Sequence, residues 1–326
     1  MSEIDPSKIN PFEPVKKMYQ LYLEDMLRYT DPSTGDLKQE LQVKVEDCPA
    51  CGINTNHSSK IFQKGPFHFY QCDECTLVYV NPRLCDEHTE ALYREGRCMY
   101  QLKNFYLPTA EYRKENLYKR KLGEIETKKA KGTLLDFGSS TGYFLQTAQE
   151  GGWDAYGVEL NPVGVAWARE KLGLTNVFNK YLAECGFDQN KFDVITMWDV
   201  LEHLTDPYPI LLELHEYLKD DGLIVIETSH YDCFETEVLG SENTNIAGDM
   251  HLTHFNKLSL QTLLERAGFK IIEFDIFGLD IKHILDYQKL TNTNHFSIAE
   301  EKISSEQERI DNEEKGCYIK VLASKK

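Results

Sequence analysis

Two groups of residues have types and spacing that could do chemistry. Four cysteines fall in two Cys-x-x-Cys pairs, Cys48-Pro49-Ala50-Cys51 and Cys72-Asp73-Glu74-Cys75, with twenty residues between them. Thiolates so spaced can close a tetrahedral shell around zinc, one pair from each of two β-hairpins. Gly52, directly after the first pair, supplies a tight turn that lets backbone amides approach the sulfurs. A four-sulfur shell has no open coordination position, so such an ion would be structural rather than catalytic. The second group is Leu134-Leu135-Asp136-Phe137-Gly138-Ser139-Ser140-Thr141-Gly142-Tyr143-Phe144-Leu145, an apolar strand running through a small-residue turn into a helix. Gly138 and Gly142 permit close approach of backbone to a ligand. Glu159 follows Asp136 by twenty-three residues, where an acid can accept hydrogen bonds from both hydroxyls of a ribose.

These residues need a scaffold, and the rest of the chain supplies one. After Thr133-Leu134-Leu135, strand-like runs recur at Ala155–Glu159, Phe192–Met197, Gly222–Glu227, Lys270–Phe274 and Cys317–Leu322, mostly with helical patterns between them. That alternation predicts an α/β fold with a mostly parallel, doubly wound sheet covered on both faces. Upstream, Val15, Met18, Tyr19, Tyr22, Leu23, Met26 and Leu27 recur at helical spacing, so an amphipathic packing helix is expected from near Pro14 until Asp31-Pro32-Ser33-Thr34-Gly35 breaks it. Short strand-like runs accompany the cysteine pairs from about 46 to 100, and a charged helix begins near Pro108. The polar stretch 291–315 reads as an exposed helix or insertion. The expected division is a helical extension over 1–45, a zinc-ribbon module over 46–104 and a catalytic domain over 105–326. The module is too small for a core of its own, so metal binding would supply much of its stability.

Composition narrows the partners. With 326 residues, 41% hydrophobic and 27% charged, the chain is ordinary for a globular protein. Its net charge of -17 repels a phosphate backbone and argues against nucleic acid. The Lys/Arg cluster between Arg113 and Lys131 is interleaved with Glu115, Glu124 and Glu126 and reads as a solvated helix face. No run of eighteen apolar residues implies a membrane span. Met1-Ser2-Glu3-Ile4-Asp5 shows no apolar leader segment, so the expected location is cytoplasmic and reducing, with the nine cysteines not a disulfide framework.

The loop resembles the first motif of class I S-adenosylmethionine-dependent methyltransferases, Asp-x-Gly-x-Gly-x-Gly: Asp136, Gly138 and Gly142 match, and Ser140 stands at the middle glycine. Phe192 to Pro207 is similar to that family's fourth strand and following loop, Leu211 to Gly222 to its next helix and turn, and Ala267-Gly268-Phe269 to the turn into its sixth strand. The resemblance implies a seven-stranded sheet with an antiparallel last strand and S-adenosylmethionine as methyl donor. It implies that Asp136 orients the loop or binds the methionine amino group, that Gly138, Ser140 and Gly142 line the donor, and that Glu159 holds the ribose. Leu160 would pack on the adenine, Ala183 or Glu184 would reach its amino group, and Asp199 would face the transfer site. The segment Thr76 to Arg83 after the second cysteine pair resembles the ribbon tail of bacterial methyltransferases that carry Cys-Pro-x-Cys-Gly and often modify sugars.

Methyl transfer from a sulfonium requires the acceptor to be aligned and, for a hydroxyl or acidic carbon, deprotonated. Histidine suits the proton transfer. His203, His230, His251 and His254 fall where the fold would put the acceptor. His230 and His254 rank first because they lie nearest the carboxyl ends of strands, where such sheets bind ligands. The polar loop Tyr231–Gly248 reads as a lid. An Asn-Pro-Pro-Tyr motif is absent after the fourth strand, where Trp198-Asp199-Val200-Leu201 stands, which removes one route to a nucleic-acid base. The expected activity is O- or C-methylation of a small molecule, with a nucleotide-linked sugar or polysaccharide precursor the leading acceptor. Two other readings compete. One is an RNA or protein methyltransferase gripping its substrate with the ribbon; the other is a non-catalytic binding protein on the same fold. A nicotinamide dinucleotide would also use the loop, but no second nucleotide-binding half accompanies it. No feature sets the oligomeric state.

Overall fold

The computed structural model of the chain describes residues 5–94 and 96–326. Met1 to Ile4, on which the reading of a missing leader rests, lie outside the described residues. Among those described, no helix is long and apolar enough to cross a membrane.

Strands β1 (Gln42–Val43), β2 (Ser58–Lys64), β3 (Phe67–Cys72), β4 (Val78–Val80) and β5 (Arg83–Leu84) form in the N-terminal third. The remainder adds β6 (Thr133–Phe137), β7 (Asp154–Val158), β8 (Val177–Phe178), β9 (Phe192–Trp198), β10 (Leu218–Ser229), β11 (Thr253–His254), β12 (Phe269–Phe277) and β13 (Tyr318–Lys325). Seven of these make one sheet in the order β12-β13-β10-β9-β6-β7-β8. β13 runs antiparallel to both neighbours, and the pairings β10-β9, β9-β6, β6-β7 and β7-β8 are parallel. This is the expected doubly wound sheet with an antiparallel last strand. Its central strands are apolar along their length because helices cover both faces: Leu134, Leu135, Val194, Ile195, Met197, Ile224 and Ile226 are all fully buried.

Local signals fix the helices around it. Asn161 caps the helix Pro162–Leu172, its side chain accepting from the amides of Val163 and Gly164, with proline at the first position and left-handed Gly173 at the end. Asp206 caps Pro207–Tyr217 likewise. The helix expected near Pro14 spans Phe12–Tyr29, and the polar stretch 291–315 contains the helix Ile303–Asn312. The charged helix after Pro108 departs from its reading as a solvated face. It runs as Ala110–Arg113, a π-helical turn Lys114–Tyr118 and then Lys119–Lys128, and it packs on the face of the central strands, Leu122 and Ile125 clustering with Leu134, Val194 and Val225, so that Lys114 and Lys121 are buried. Each finds a carboxylate, Glu150 and Glu227 respectively, which is what makes burying an ammonium tolerable.

The ribbon is built into the same body. Its sheet has the order β11-β4-β3-β2, so the edge strand β11 comes from the C-terminal part and pairs antiparallel with β4, Thr253 opposite Tyr79 and His254 opposite Val78. Cys48, Ala50, Cys72, Cys75, Leu77 and Tyr79 share one apolar cluster with Ile224, Ile226, Leu260, Leu263 and Leu264 of the main sheet and its covering helix. The small hairpins thus borrow the large domain's interior.

Candidate active site

The order of the central strands reverses between β6 and β9, and crevices in such sheets open at the carboxyl ends there. A single cavity of about 910 Å³ occupies that position, near the upper end of the usual 300–1,000 Å³ range for ligand pockets.

One end of it is the glycine-rich loop. Gly138 and Gly142 have φ of +81° and +82°, where a side chain is strained. Space forbids one as well: a Cβ on Gly138 would lie 2.5 Å from Val200, and one on Gly142 2.6 Å from Leu174. Ser140 takes the left-handed conformation too, φ 49°, and its amide donates to Glu159 Oε2 at 2.8 Å, while the Asn161 amide donates to Oε1 at 2.6 Å. Each oxygen keeps a second lone pair, and Glu159 lines the cavity. Burial raises its pKa against the pull of these amide bonds. Asp136 is buried beneath the loop, its Oδ1 accepting from Thr196 Oγ1 at 2.8 Å. Burial drives its pKa up to about 7. Leu160 and Ala183 also line the cavity. Glu184 is turned away from the expected adenine contact, because its carboxylate accepts from the Tyr181 amide and caps the short turn Leu182–Cys185.

The floor is Asp199, directly after β9. Its φ is 54° and its amide donates to the Glu227 carbonyl at 2.9 Å. The carboxyl opens into the cavity yet is ringed by protein. Burial, then the charges of Glu227 and Glu202, push its pKa up to about 7. Non-glycine residues held at positive φ concentrate at functional sites, and Ser140 and Asp199 face this one cavity.

The other end was not legible in the sequence. Tyr106 and Tyr118 enter it from the two π-helical turns, Leu102–Tyr106 and Lys114–Tyr118. Tyr287 and His283 enter from the helix Asp280–Thr291, and Tyr318 from the start of β13. Lys121 Nζ sits 2.8 Å from Glu227 Oε1 and 4.1 Å over the Trp198 ring, whereas Glu227 Oε2 is buried with no hydrogen-bond partner among the described residues.

The four histidines singled out by sequence separate. His203 lines the cavity and holds the Met250 carbonyl with Nδ1 at 2.8 Å, its ring packed edge-on against Tyr93 and His251. His251 donates from Nδ1 to the Asn245 carbonyl, and burial lowers its pKa to about 3. His230 and His254 do not line the cavity. The His230 ring donates to the Gly316 carbonyl beside a shallow surface hollow. His254 is sealed inside the ribbon sheet, 5.5 Å from the Phe69 ring, with its pKa far below the ordinary range through burial. His230 follows β10, and His254 is the last residue of β11. But β11 belongs to the ribbon sheet, and His230 turns toward the segment before β13.

The four paired cysteines converge. Their sulfurs lie within 4.8 Å of one another, with Cys48–Cys75 and Cys51–Cys72 both at 3.6 Å. A tetrahedron with Zn–S of about 2.3 Å has edges of roughly 3.8 Å, so the donor set fits zinc. Amides of Ala50 and Cys51 point at the Cys48 sulfur and that of Ile53 at Cys51, and Gly52 turns at φ +77°. Without a cation two of these thiols resist ionisation: the contact with Cys75 and burial raise Cys48, and burial raises Cys51 to about 11.

With this geometry in place, comparison with known proteins identifies the class. The family profile described as a methyltransferase domain matches residues 109–274, just over half of the chain, and the chain belongs to that family. It is similar to a ubiquinone biosynthesis O-methyltransferase of Cereibacter sphaeroides, 32% identical over 118 residues, which are 33% of this chain and 47% of that protein. It is also similar to a probable S-adenosylmethionine-dependent methyltransferase of Mycolicibacterium smegmatis, 24% identical over 138 residues, 42% of this chain and 52% of the relative. The chain thus spans about half the length of the curated relatives it matches. A solved S-adenosylmethionine-dependent methyltransferase from Archaeoglobus fulgidus aligns at 19% identity with a TM-score of 0.48, over 68% of this chain and 100% of that one.

Proposed function

We propose that this chain transfers a methyl group from S-adenosylmethionine to a small-molecule acceptor. One observation carries the reading: the Gly138–Gly142 loop, with Glu159 bonded beneath it, opens into the same cavity as Asp199, and that cavity is large enough for donor and acceptor together. Glu159 is suited to the ribose hydroxyls, and Leu160 and Ala183 to the adenine. Asp136 and Asp199, whose ionised forms are disfavoured by burial, gain from a cationic ligand. Bound there, the sulfonium supplies an already activated methyl carbon.

The acceptor we propose is a sugar or polysaccharide precursor, nucleotide-linked in the leading case, methylated on oxygen or carbon. Aromatic faces at Tyr106, Tyr118 and Phe277 beside the unpartnered Glu227 Oε2 suit a polyol, which presents C–H faces and hydroxyl donors together. We further propose that Cys48, Cys51, Cys72 and Cys75, whose sulfurs converge, hold one structural zinc in a reducing, cytoplasmic setting.

Thermal unfolding of zinc-assayed protein with S-adenosylmethionine, S-adenosylhomocysteine or NAD tests both readings. A ligand at a hundred times its Kd should add about 2.7 kcal/mol, a rise of several degrees for a chain this size. The sulfonium pair should give it and NAD should not. Absence of any rise in folded, zinc-replete protein would sink the enzyme reading. Fewer than one zinc per chain, unchanged in Cys72→Ser, would sink the metal.

A further inference from the structure

The cavity wall holds a histidine whose chemistry differs from the four found by sequence. His283, on the helix Asp280–Thr291, places Nδ1 2.9 Å from Glu235 Oε2. Glu235 is completely buried. A carboxylate only accepts, so this bond fixes the proton on Nδ1 and leaves Nε2 as the lone-pair nitrogen of the neutral ring. Among the described residues Nε2 has no hydrogen-bond partner, and it is not among the sealed, unsatisfied atoms, while His283 itself lines the cavity beside Tyr318 and Tyr287. The arrangement is a base with its tautomer set from behind by a carboxylate.

The surroundings hold it there. Glu235 also receives longer contacts from Thr244 Oγ1 and Asn245 Nδ2, both 3.5 Å. Its own amide is tied to Asp280 Oδ1, and Asp280 Oδ2 accepts from the Cys317 amide and from Gln307. The charged and titratable groups facing the ring are Glu235, Asp280 and Lys282, with the Cys317 sulfur 3.7 Å from Nδ1 and the Tyr318 ring 6.4 Å away. Burial alone would lower the pKa of His283, but the Glu235 charge and hydrogen bond, with Asp280 behind them, outweigh it and leave it raised. His230, His251 and His254 shift the opposite way, which makes them poorer bases.

We propose that His283 is the general base of the reaction and that Glu235 is its positioning residue; this rests on the methyl-transfer reading above. As the acceptor oxygen forms its bond to the methyl carbon, the S–C bond breaks with its electron pair going to sulfur, giving the thioether. The acceptor's proton passes to Nε2 of His283 and then to solvent. An acidic carbon acceptor follows the same balance.

The test uses the full, zinc-loaded chain. In wild type with ¹⁵N-labelled histidine, the signal that disappears in His283→Gln should report a neutral ring protonated on Nδ1 and a pKa above about 6.5, and Glu235→Gln should lower that pKa by at least one unit. A neutral ring protonated on Nε2, or a titration unmoved in Glu235→Gln, overturns the proposal. Zinc above one equivalent per chain that is lost in His283→Gln would make the cluster a metal site and overturn it too. Two probe acceptors, 3,4-dihydroxybenzoate and UDP-glucose, extend the test. On whichever is methylated, His283→Gln should lower kcat at least about 100-fold with the KM for S-adenosylmethionine within threefold, and unchanged kcat refutes the role. Calorimetry with S-adenosylhomocysteine separates the two failures: no binding by wild type removes the methyl-transfer reading, whereas binding with unchanged kcat in the variant removes only the base.

Discussion

The two ends of the cavity are built by different means. The donor end is framed by backbone, which holds the Glu159 carboxylate in place: a turn at positive φ, amides aimed at that carboxylate, and glycines where any Cβ would collide. All of it comes from one strand–turn–helix and the end of the next strand. The acceptor end is side chain. Tyr106, Tyr118, Lys121, Glu227, His283, Tyr287 and Tyr318 arrive from five separate segments and meet only because the sheet and its helices pack as they do. A backbone site tolerates little change in shape but much change in side-chain identity. A side-chain site is the reverse, which lets one donor end serve many acceptors on this fold.

The largest effect should follow from breaking the backbone end. In Gly142→Val a β-branched residue is forced to φ +82° with Cβ 2.6 Å from Leu174 and 2.9 Å from Ala168, so the loop must move. S-adenosylhomocysteine affinity by calorimetry is expected to fall at least about 100-fold, near 2.7 kcal/mol. Tyr287→Leu, at the opposite end, should leave that affinity within threefold. Equal losses in the two variants would mean that the cavity is not divided as described.

The same division explains what the sequence could tell. Cys48 to Cys75, the Asp136–Gly142 loop and Glu159 are readable because their signals are spacings within a few residues of one element. Lys121 and His283 are not. Lys121 sits in a stretch with as many charges as a solvated face, and only its approach to Glu227 across the chain makes it a buried partner. His283 lies in a helix with no motif, and its meaning comes from Glu235, forty-eight residues away. His230 and His254 illustrate the converse error: β11, which ends at His254, has no strand signal in the sequence and pairs with the ribbon rather than the main sheet, so nearness to a strand end does not bring His254 to the cavity.

An intermediate effect is expected from pH. Burial pushes the Asp136 pKa up to about 7 in the folded chain, above the unfolded value near 3.9, and Asp199, open to the cavity, is raised in the same direction by desolvation and by the charges of Glu227 and Glu202. The folded state therefore binds more protons than the unfolded state between those values, and this contribution to stability is lost as pH rises from about 4 toward 7. A cationic ligand reverses the preference, because ionised carboxylates attract it. S-adenosylmethionine should thus bind about tenfold more tightly at pH 8 than at pH 6. S-adenosylhomocysteine, which lacks the sulfonium charge, should show a shallower dependence. In Asp199→Asn the difference between the two ligands should shrink at pH 8, bringing their slopes together. Parallel slopes for both ligands in wild type would show that Asp199 does not sense the sulfonium.

The smallest effect should come from Ser140→Gly, and its smallness is informative. Ser140 is held at φ 49°, where an L-residue carries roughly 1–2 kcal/mol of steric strain. Glycine would remove the strain but lose a comparable amount through its greater freedom in the unfolded chain. The two terms oppose each other, so the change in stability should stay within about 1 kcal/mol, a few degrees in Tm at most. Affinity for S-adenosylhomocysteine should stay within threefold, because what holds Glu159 is the amide of residue 140, and glycine keeps it. A tenfold loss would instead assign the serine hydroxyl a contact with the ligand, and the Gly138–Gly142 turn would no longer act through its backbone alone.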